Sequence, residues 1–101
     1  MEIRITGKHG GMAGGVWYVG RVEKRHFEAL VFAEPSQYGI EGGQVSKLYL
    51  WDGRPKKKRG KALAVYERGW ELEPEEGVRP IVEMLVVELS RREREGRQAE
   101  E

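Results

Sequence analysis

The chain has 101 residues, of which 39% are hydrophobic and 35% charged, and these proportions fit one globular domain with a modest core. It contains no cysteine, which excludes a disulfide framework and a thiolate metal site and makes a reducing cytoplasm the simplest location. No apolar run approaches the roughly 18 residues of a membrane span, and a formal net charge of +1 excludes recruitment of nucleic acid by a global field.

Five segments predict β-strands, because they are rich in β-branched and aromatic residues and are bounded by turn formers. In chain order they are "MEIRIT", "VWYVGRVE", "HFEALVF", "SKLYLWD" and "ALAVYERGW". Alternation places Phe27, Ala29 and Val31 on one face of their strand. In the same way Leu48 shares a face with Leu50, and Leu63 shares a face with Val65. This period of two predicts an antiparallel sheet with one covered face. The tract "GKHGGMAGG" holds five glycines in nine residues, which is too flexible for a strand interior.

The C-terminal segment predicts the helix that covers this sheet. Pro80 stands where a first helical residue would be preorganised. The apolar face comprises Val82, Leu85, Val86 and Leu89, and Ile81, Met84 and Val87 widen it. A helix that is apolar over so much of its circumference favours a homodimer.

The predicted fold is α+β, with a four- or five-stranded antiparallel meander and one C-terminal amphipathic helix. Residues 1–90 form the single domain, and residues 91–101 are predicted to be a charged, frayed tail because "SRREREGRQAEE" alternates charges and contains Gly96.

Two motifs resemble a group of small bacteriophage and prophage proteins classed as a domain of unknown function. They are Tyr-Gly-Ile-x-Gly-Gly with Ser-Lys-Leu after it, and Tyr-x-Arg-Gly-Trp at a strand end. The resemblance runs from about Trp17 to Pro74 and on into the helix. It implies a viral accessory protein acting in the host cytoplasm, and it brings no activity with it. The N-terminal strand, the glycine tract and the run "RPKKKRGK" are departures from the short members of that group.

The segment "PSQYGIEGGQVSK", Pro35–Lys47, is the first candidate site, because a hairpin needs only two to five connecting residues. Its glycines can present free amides to an anion, with a hydroxyl and an ammonium immediately after them. The residues proposed from this loop are Tyr38, Gly39, Gly42, Gly43, Ser46 and Lys47. Alternatively the loop is an architectural connection that tucks Tyr38 and Ile40 under the sheet.

The strand end "YERGW" adds Arg68 and Trp70, since an arginine beside aromatic rings can stack on a base or clamp a phosphate. If both motifs reach the same end of the sheet, they form one pocket for a nucleotide-like ligand. The alternative is that Trp70 caps the core and Gly69 supplies a bulge.

The run "RPKKKRGK" carries six positive residues in eight and is the candidate nucleic-acid site. The residues proposed are Arg54, Lys56, Lys57, Lys58, Arg59 and Lys61. The run contains no aromatic residue, so base readout is not expected, and a solvated turn explains the same charges.

No pattern typical of catalysis is present. His9 and His26 have no second histidine or cysteine nearby in the sequence to complete a metal site, and no serine lies in a G-x-S-x-G motif. The expected function is therefore non-catalytic, without metal or cofactor: a phage-type anti-defence binding protein that sequesters a nucleotide-like signal or occludes a host defence protein. The alternatives are a nucleic-acid-binding module acting through residues 54–61 and a structural virion component.

Overall fold

The computed structural model describes residues 2–53 and 60–100, which form one antiparallel sheet and one helix. The strands are β1 (Ile3–Gly10), β2 (Val16–Val22), β3 (Arg25–Val31), β4 (Val45–Asp52), β5 (Lys61–Glu67) and β6 (Trp70–Leu72), and the helix is α1 (Arg79–Glu100). Each strand pairs antiparallel with the next, in the order β1 to β6. The α+β class and the meander with a C-terminal helix are confirmed, whereas the predicted four or five strands are wrong because the sheet has six.

The sixth strand arises because the chain reverses inside the segment predicted as one strand. Arg68 adopts a positive φ of 65°, and the Glu67 N–H donates to the Gly69 carbonyl at 2.9 Å. The turn sends Trp70–Leu72 back along β5 as a short edge strand. At the other edge, β1 runs into the glycine tract as far as Gly10, so the exclusion of that tract from strand structure was wrong in part.

The helix-covered face of the sheet holds the core. Phe27, Leu48 and Leu50 are fully buried, as predicted. On β5 the buried residues are Ala64 and Tyr66, which lie opposite Leu50 and Leu48 in the register. The prediction that Leu63 and Val65 face the core is therefore wrong for Val65, which pairs with Tyr49 on the other face. A register shift between Leu50 and Trp51 leaves Leu63 as the extra residue at the edge of the core.

The helix does not end where the charged tail was predicted to begin. It continues to Glu100, and Glu93 is only 5% exposed. The buried Glu93 carboxylate is satisfied by a hydrogen bond that it accepts from the Tyr18 hydroxyl at 2.9 Å. Burial, and then this hydrogen bond, raise the pKa of Tyr18 to about 12, so the hydroxyl remains a donor at neutral pH. The alternating charges form i,i+3 and i,i+4 ion pairs, Arg91 with Glu88 and Glu95, which favour a helix over a frayed tail.

The helix buries most of its predicted stripe against β3 and β4 of its own chain. Val87 is 68% exposed, and Met84 is half-buried beside it. Both line a shallow cavity with Ile3 and Pro80. The apolar surface left for a partner is therefore smaller than the sequence suggested, and the homodimer stays a prediction.

We expect light scattering at micromolar protein to give the mass of a dimer that associates through Val87. Val87→Arg should then give a monomer, because an arginine in an apolar contact loses its hydration without gaining a partner. Leu72→Arg is the matched control, since Leu72 is 42% exposed on β6 and not on the helix. A monomer mass for the unmodified protein would exclude the dimer.

Candidate functional site

The long loop between β3 and β4 is folded upon itself. Its neck is held by backbone bonds from Phe32 N–H to the Gln44 carbonyl at 2.9 Å and from Ser36 N–H to the Gly43 carbonyl at 3.1 Å. Beyond the neck, residues Ile40–Gly42 form a single 3-10 turn, and Ile40 inserts into the core with 6% of its surface exposed. The extra length of the loop is therefore used to place an apolar side chain under the sheet.

Gln44 joins this loop to the far end of the helix. Its side-chain amide nitrogen donates to the carbonyls of Phe32 and Ala33 at 3.0 and 3.2 Å, and its oxygen accepts from Arg94 at 2.9 Å. Because Gln44 is only 6% exposed, these bonds satisfy a buried amide that would otherwise be costly. The loop is a fixed part of the fold.

The predicted anion nest is not formed. The Gly39 N–H donates to the Ser36 carbonyl at 3.1 Å, Gly42 N–H to Gly39 at 2.9 Å and Gly43 N–H to Ile40 at 3.0 Å. All three amides are thus occupied inside the loop, and these glycines do not line the cleft described next. Short-range hydrogen bonding therefore competes with an anion for the same donors, and anion binding by these glycines stays a prediction that this geometry disfavours.

A cleft of about 670 Å³ lies at this end of the sheet, and it brings together side chains from separate parts of the sequence. Of the predicted site residues, four line it: Tyr38, Ser46, Lys47 and Arg68. Its other walls come from the end of β3 and the start of the loop and from the turn after β1, namely Leu30, Phe32, Ala33, Glu34, Pro35, Ser36, Ala13 and Gly14. The volume lies in the range of small-molecule sites in proteins.

Arg68 is positioned by both its backbone and its side chain. Its N–H donates to the Ser46 carbonyl at 3.1 Å, which secures the left-handed conformation of the residue. Its guanidinium carbon lies 4.3 Å from the centroid of the Tyr38 ring, a cation–π contact. Tyr38 is itself anchored, because its carbonyl accepts from the Tyr66 hydroxyl at 2.9 Å and its N–H donates to Ser36 Oγ at 3.1 Å.

The two cations of the cleft have no ionic partner among the residues that the structure describes. Lys47 lies opposite Glu67 in the β4–β5 register, but the Glu67 carboxylate accepts a short hydrogen bond from the Tyr49 hydroxyl instead. The Arg68 guanidinium lies over the Tyr38 ring. Two unpaired positive groups therefore face a cleft with partly apolar walls, which favours an anionic ligand.

Trp70 does not belong to this cleft. It is half-buried and meets the Tyr66 ring edge-on, with centroids 5.0 Å apart. It lines a smaller cavity against the helix with Ile40 and Val82. The turn at Arg68 and Gly69 sends the two side chains to different places, so the alternative that Trp70 packs on the core is the correct one.

The sequence did not indicate the apolar wall that Leu30 and Phe32 provide, or the turn at Ala13 and Gly14. Leu30 looked like a residue outside the core stripe of β3, yet it is only 9% exposed. Ala13 has a φ of 59°, and a non-glycine residue in this conformation is a recognised feature of functional sites. These residues come to lie beside Lys47 only through the strand pairing of the folded sheet.

The basic run falls mostly outside the described residues. Arg54, Lys56, Lys57, Lys58 and Arg59 are not described, and only Lys61 can be placed. It is exposed at the start of β5, opposite Asp52. Within residues 2–53 and 60–100, no group of three histidine, aspartate or glutamate side chains is arranged to hold a metal ion. No helix in the same ranges is long and apolar enough to cross a membrane.

Residues 16–90 match a family described as a domain of unknown function, DUF7678. Neither the curated proteins nor the solved structures contain a match to this chain. The matched range includes the whole cleft except the Ala13–Gly14 turn.

Proposed function

We propose that this chain, which belongs to the DUF7678 domain family, is a non-catalytic binding protein whose cleft takes a small nucleotide-like anion. The observation that carries the proposal is the pair of unneutralised cations, Lys47 and Arg68, in a cleft of about 670 Å³ with the Tyr38 ring against the guanidinium. Charge-assisted hydrogen bonds from a guanidinium fork are suited to phosphate.

The rest of the cleft supports the same ligand class. Phe32, Leu30 and Pro35 offer an apolar wall for a planar base. Ser36 supplies a hydroxyl, and the Glu34 carboxylate can accept hydrogen bonds from ribose hydroxyls or base amines.

In the resulting view, the protein is a phage-type accessory product that lowers the free concentration of a nucleotide-like signal in the host cytoplasm. Its setting is inferred from the motif resemblance and its ligand class from the cleft. Occlusion of a host defence protein by the same surface is the other form of this function. Native mass spectrometry of the protein purified from defence-active cells separates the two, because one gives a small-molecule adduct and the other a protein complex.

Titration calorimetry with cyclic nucleotides and ADP-ribose derivatives tests the ligand class. We expect saturable heat with a phosphate-bearing compound and markedly weaker binding of the matching nucleoside, because the nucleoside lacks the group that Arg68 and Lys47 contact. An absence of heat with every compound would leave the cleft as a protein-contact surface.

Nucleic-acid binding through residues 54–61 is the second candidate, favoured by six positive residues in eight. If it occurs, log affinity should fall steeply and linearly with log salt, because each neutralised phosphate releases counterions. Replacing Lys56, Lys57 and Lys58 with alanine should reduce the magnitude of that slope by about 2 to 3. Binding that is independent of salt, or none at low salt, would exclude this candidate.

A further inference from the structure

The face of the sheet opposite the helix carries a file of three aromatic rings. Trp17 on β2 stacks on Tyr49 of β4 with centroids 6.4 Å apart and an interplanar angle of 19°. Tyr49 stacks on Trp51 with centroids 5.8 Å apart and an angle of 11°. All three side chains are half-buried, and α1 lies on the other side of the sheet.

Carboxylates lie beside the central ring of this file, Tyr49. Glu28 of β3 is the register partner of Tyr49, and the Glu67 carboxylate accepts a hydrogen bond from the Tyr49 hydroxyl. Burial first, then the bond to Glu67, then the negative charges of Glu67, Glu71 and Glu28 raise the pKa of Tyr49 well above its usual value. None of the three carboxylates forms an ion pair with a described residue.

Aromatic faces and unneutralised carboxylates both attract the same kind of ligand, a cation carried on an apolar stem. An ammonium or guanidinium over a ring is attracted by its quadrupole, and a neighbouring carboxylate adds charge and a hydrogen-bond acceptor. A polyanion would stack on the same rings only by bringing its phosphates close to three negative charges. The charge of this face therefore favours a basic peptide over single-stranded nucleic acid.

We propose that this open-face patch, made of Trp17, Tyr49 and Trp51 with Glu28, Glu67 and Glu71, binds an arginine- or lysine-containing segment of a partner protein. The cationic side chains lie across the rings, and the carboxylates pair with their charged ends. This second interaction surface adjoins the anion-binding cleft, since Lys47 of the cleft is the register partner of Glu67, but it is opposite in charge.

Fluorescence anisotropy with a labelled peptide of alternating arginine and glycine tests the proposal on the full chain. We expect saturable binding that weakens with salt, and no binding of the matched glutamate–glycine peptide. Glu28→Gln and Glu71→Gln should each weaken binding about 2- to 5-fold, since each removes one partly exposed charge. Glu83→Gln is the matched control, because Glu83 is an exposed carboxylate on α1.

Trp51→Leu provides an independent test, because it keeps an apolar side chain and removes the ring. Trp51→Leu should weaken binding of the arginine peptide, while circular dichroism shows an unchanged fold. Arg68→Ala in the cleft should leave peptide binding unchanged, which separates this surface from the proposed nucleotide site. The proposal is overturned if the arginine peptide does not bind, if the glutamine variants bind as tightly as the parent, or if oligothymidine binds through Trp51 instead.

Discussion

Gly39→Ala should lower the free energy of unfolding by about 3 kcal/mol, the upper part of the range for overpacking. A Cβ atom on Gly39 would lie 1.9 Å from the Gly43 carbonyl oxygen and 2.6 Å from its carbon. Both are backbone atoms held by the loop's hydrogen bonds, so neither can rotate away. The change should open the loop and withdraw Ile40 from the core. Urea denaturation, monitored by circular dichroism, measures the change in the free energy of unfolding.

Gly42→Ala is the matched control, because it adds the same methyl group three residues away in the same loop. Gly42 has a φ of 71° and no atom within 4 Å of the added Cβ, so only backbone strain opposes the change. That strain costs about 1 to 2 kcal/mol. If Gly39→Ala were no more destabilising than Gly42→Ala, the tight contact between Gly39 and Gly43 would not hold the loop closed.

The sequence predicted the fold class because local patterns carry it. Alternation placed Phe27, Leu48 and Leu50 on the covered face, and the 3.6-residue stripe identified α1. The errors fall where a single backbone angle or a register shift decides the outcome. The positive φ of Arg68 creates β6, and the shift between Leu50 and Trp51 reverses the expected face of Val65. Neither the positive φ nor the register shift is visible as a periodic pattern in the sequence, since each occurs at one residue.

The candidate site, like the fold, was predicted from the sequence only in part. Tyr38, Lys47 and Arg68 were selected for their chemistry, and the structure brings them together with Ser46 in one cleft. Composition reveals the glycine amides as donors, but not the acceptors that bond them within the loop. The sequence also did not reveal the turn between Arg68 and Trp70, which places Trp70 outside this cleft. The acidic surroundings of Tyr49 also escaped notice, since they come from three other strands.

The contribution of Arg68 to the cleft should be large, and it can be separated from its contribution to the fold. Arg68→Ala should weaken binding of the phosphate-bearing nucleotide by about 1.5 to 3 kcal/mol, or about 10- to 150-fold, for a lost charge-assisted bond. Lys47→Ala should cost less, since a flexible ammonium is a weaker clamp than a planar guanidinium. Arg4→Ala on the distant strand β1 should have no effect, because it removes an equally exposed charge outside the cleft.

Arg68→Gly makes this measurement decisive. At a φ of 65° glycine is less strained than arginine, so the variant should be as stable as the parent or more so, while its nucleotide affinity falls as far as that of Arg68→Ala. Gly43→Ala should show the converse. Its Cβ would lie 3.1 Å from the Ile40 carbonyl oxygen, which lowers stability, whereas the amide is bonded within the loop, so affinity per folded molecule should be unchanged. Calorimetry on folded samples gives the affinities and urea denaturation the stabilities. Equal affinity of Arg68→Gly and the parent would remove Arg68 from the site, and weaker binding by a fully folded Gly43→Ala would restore the loop amides to it.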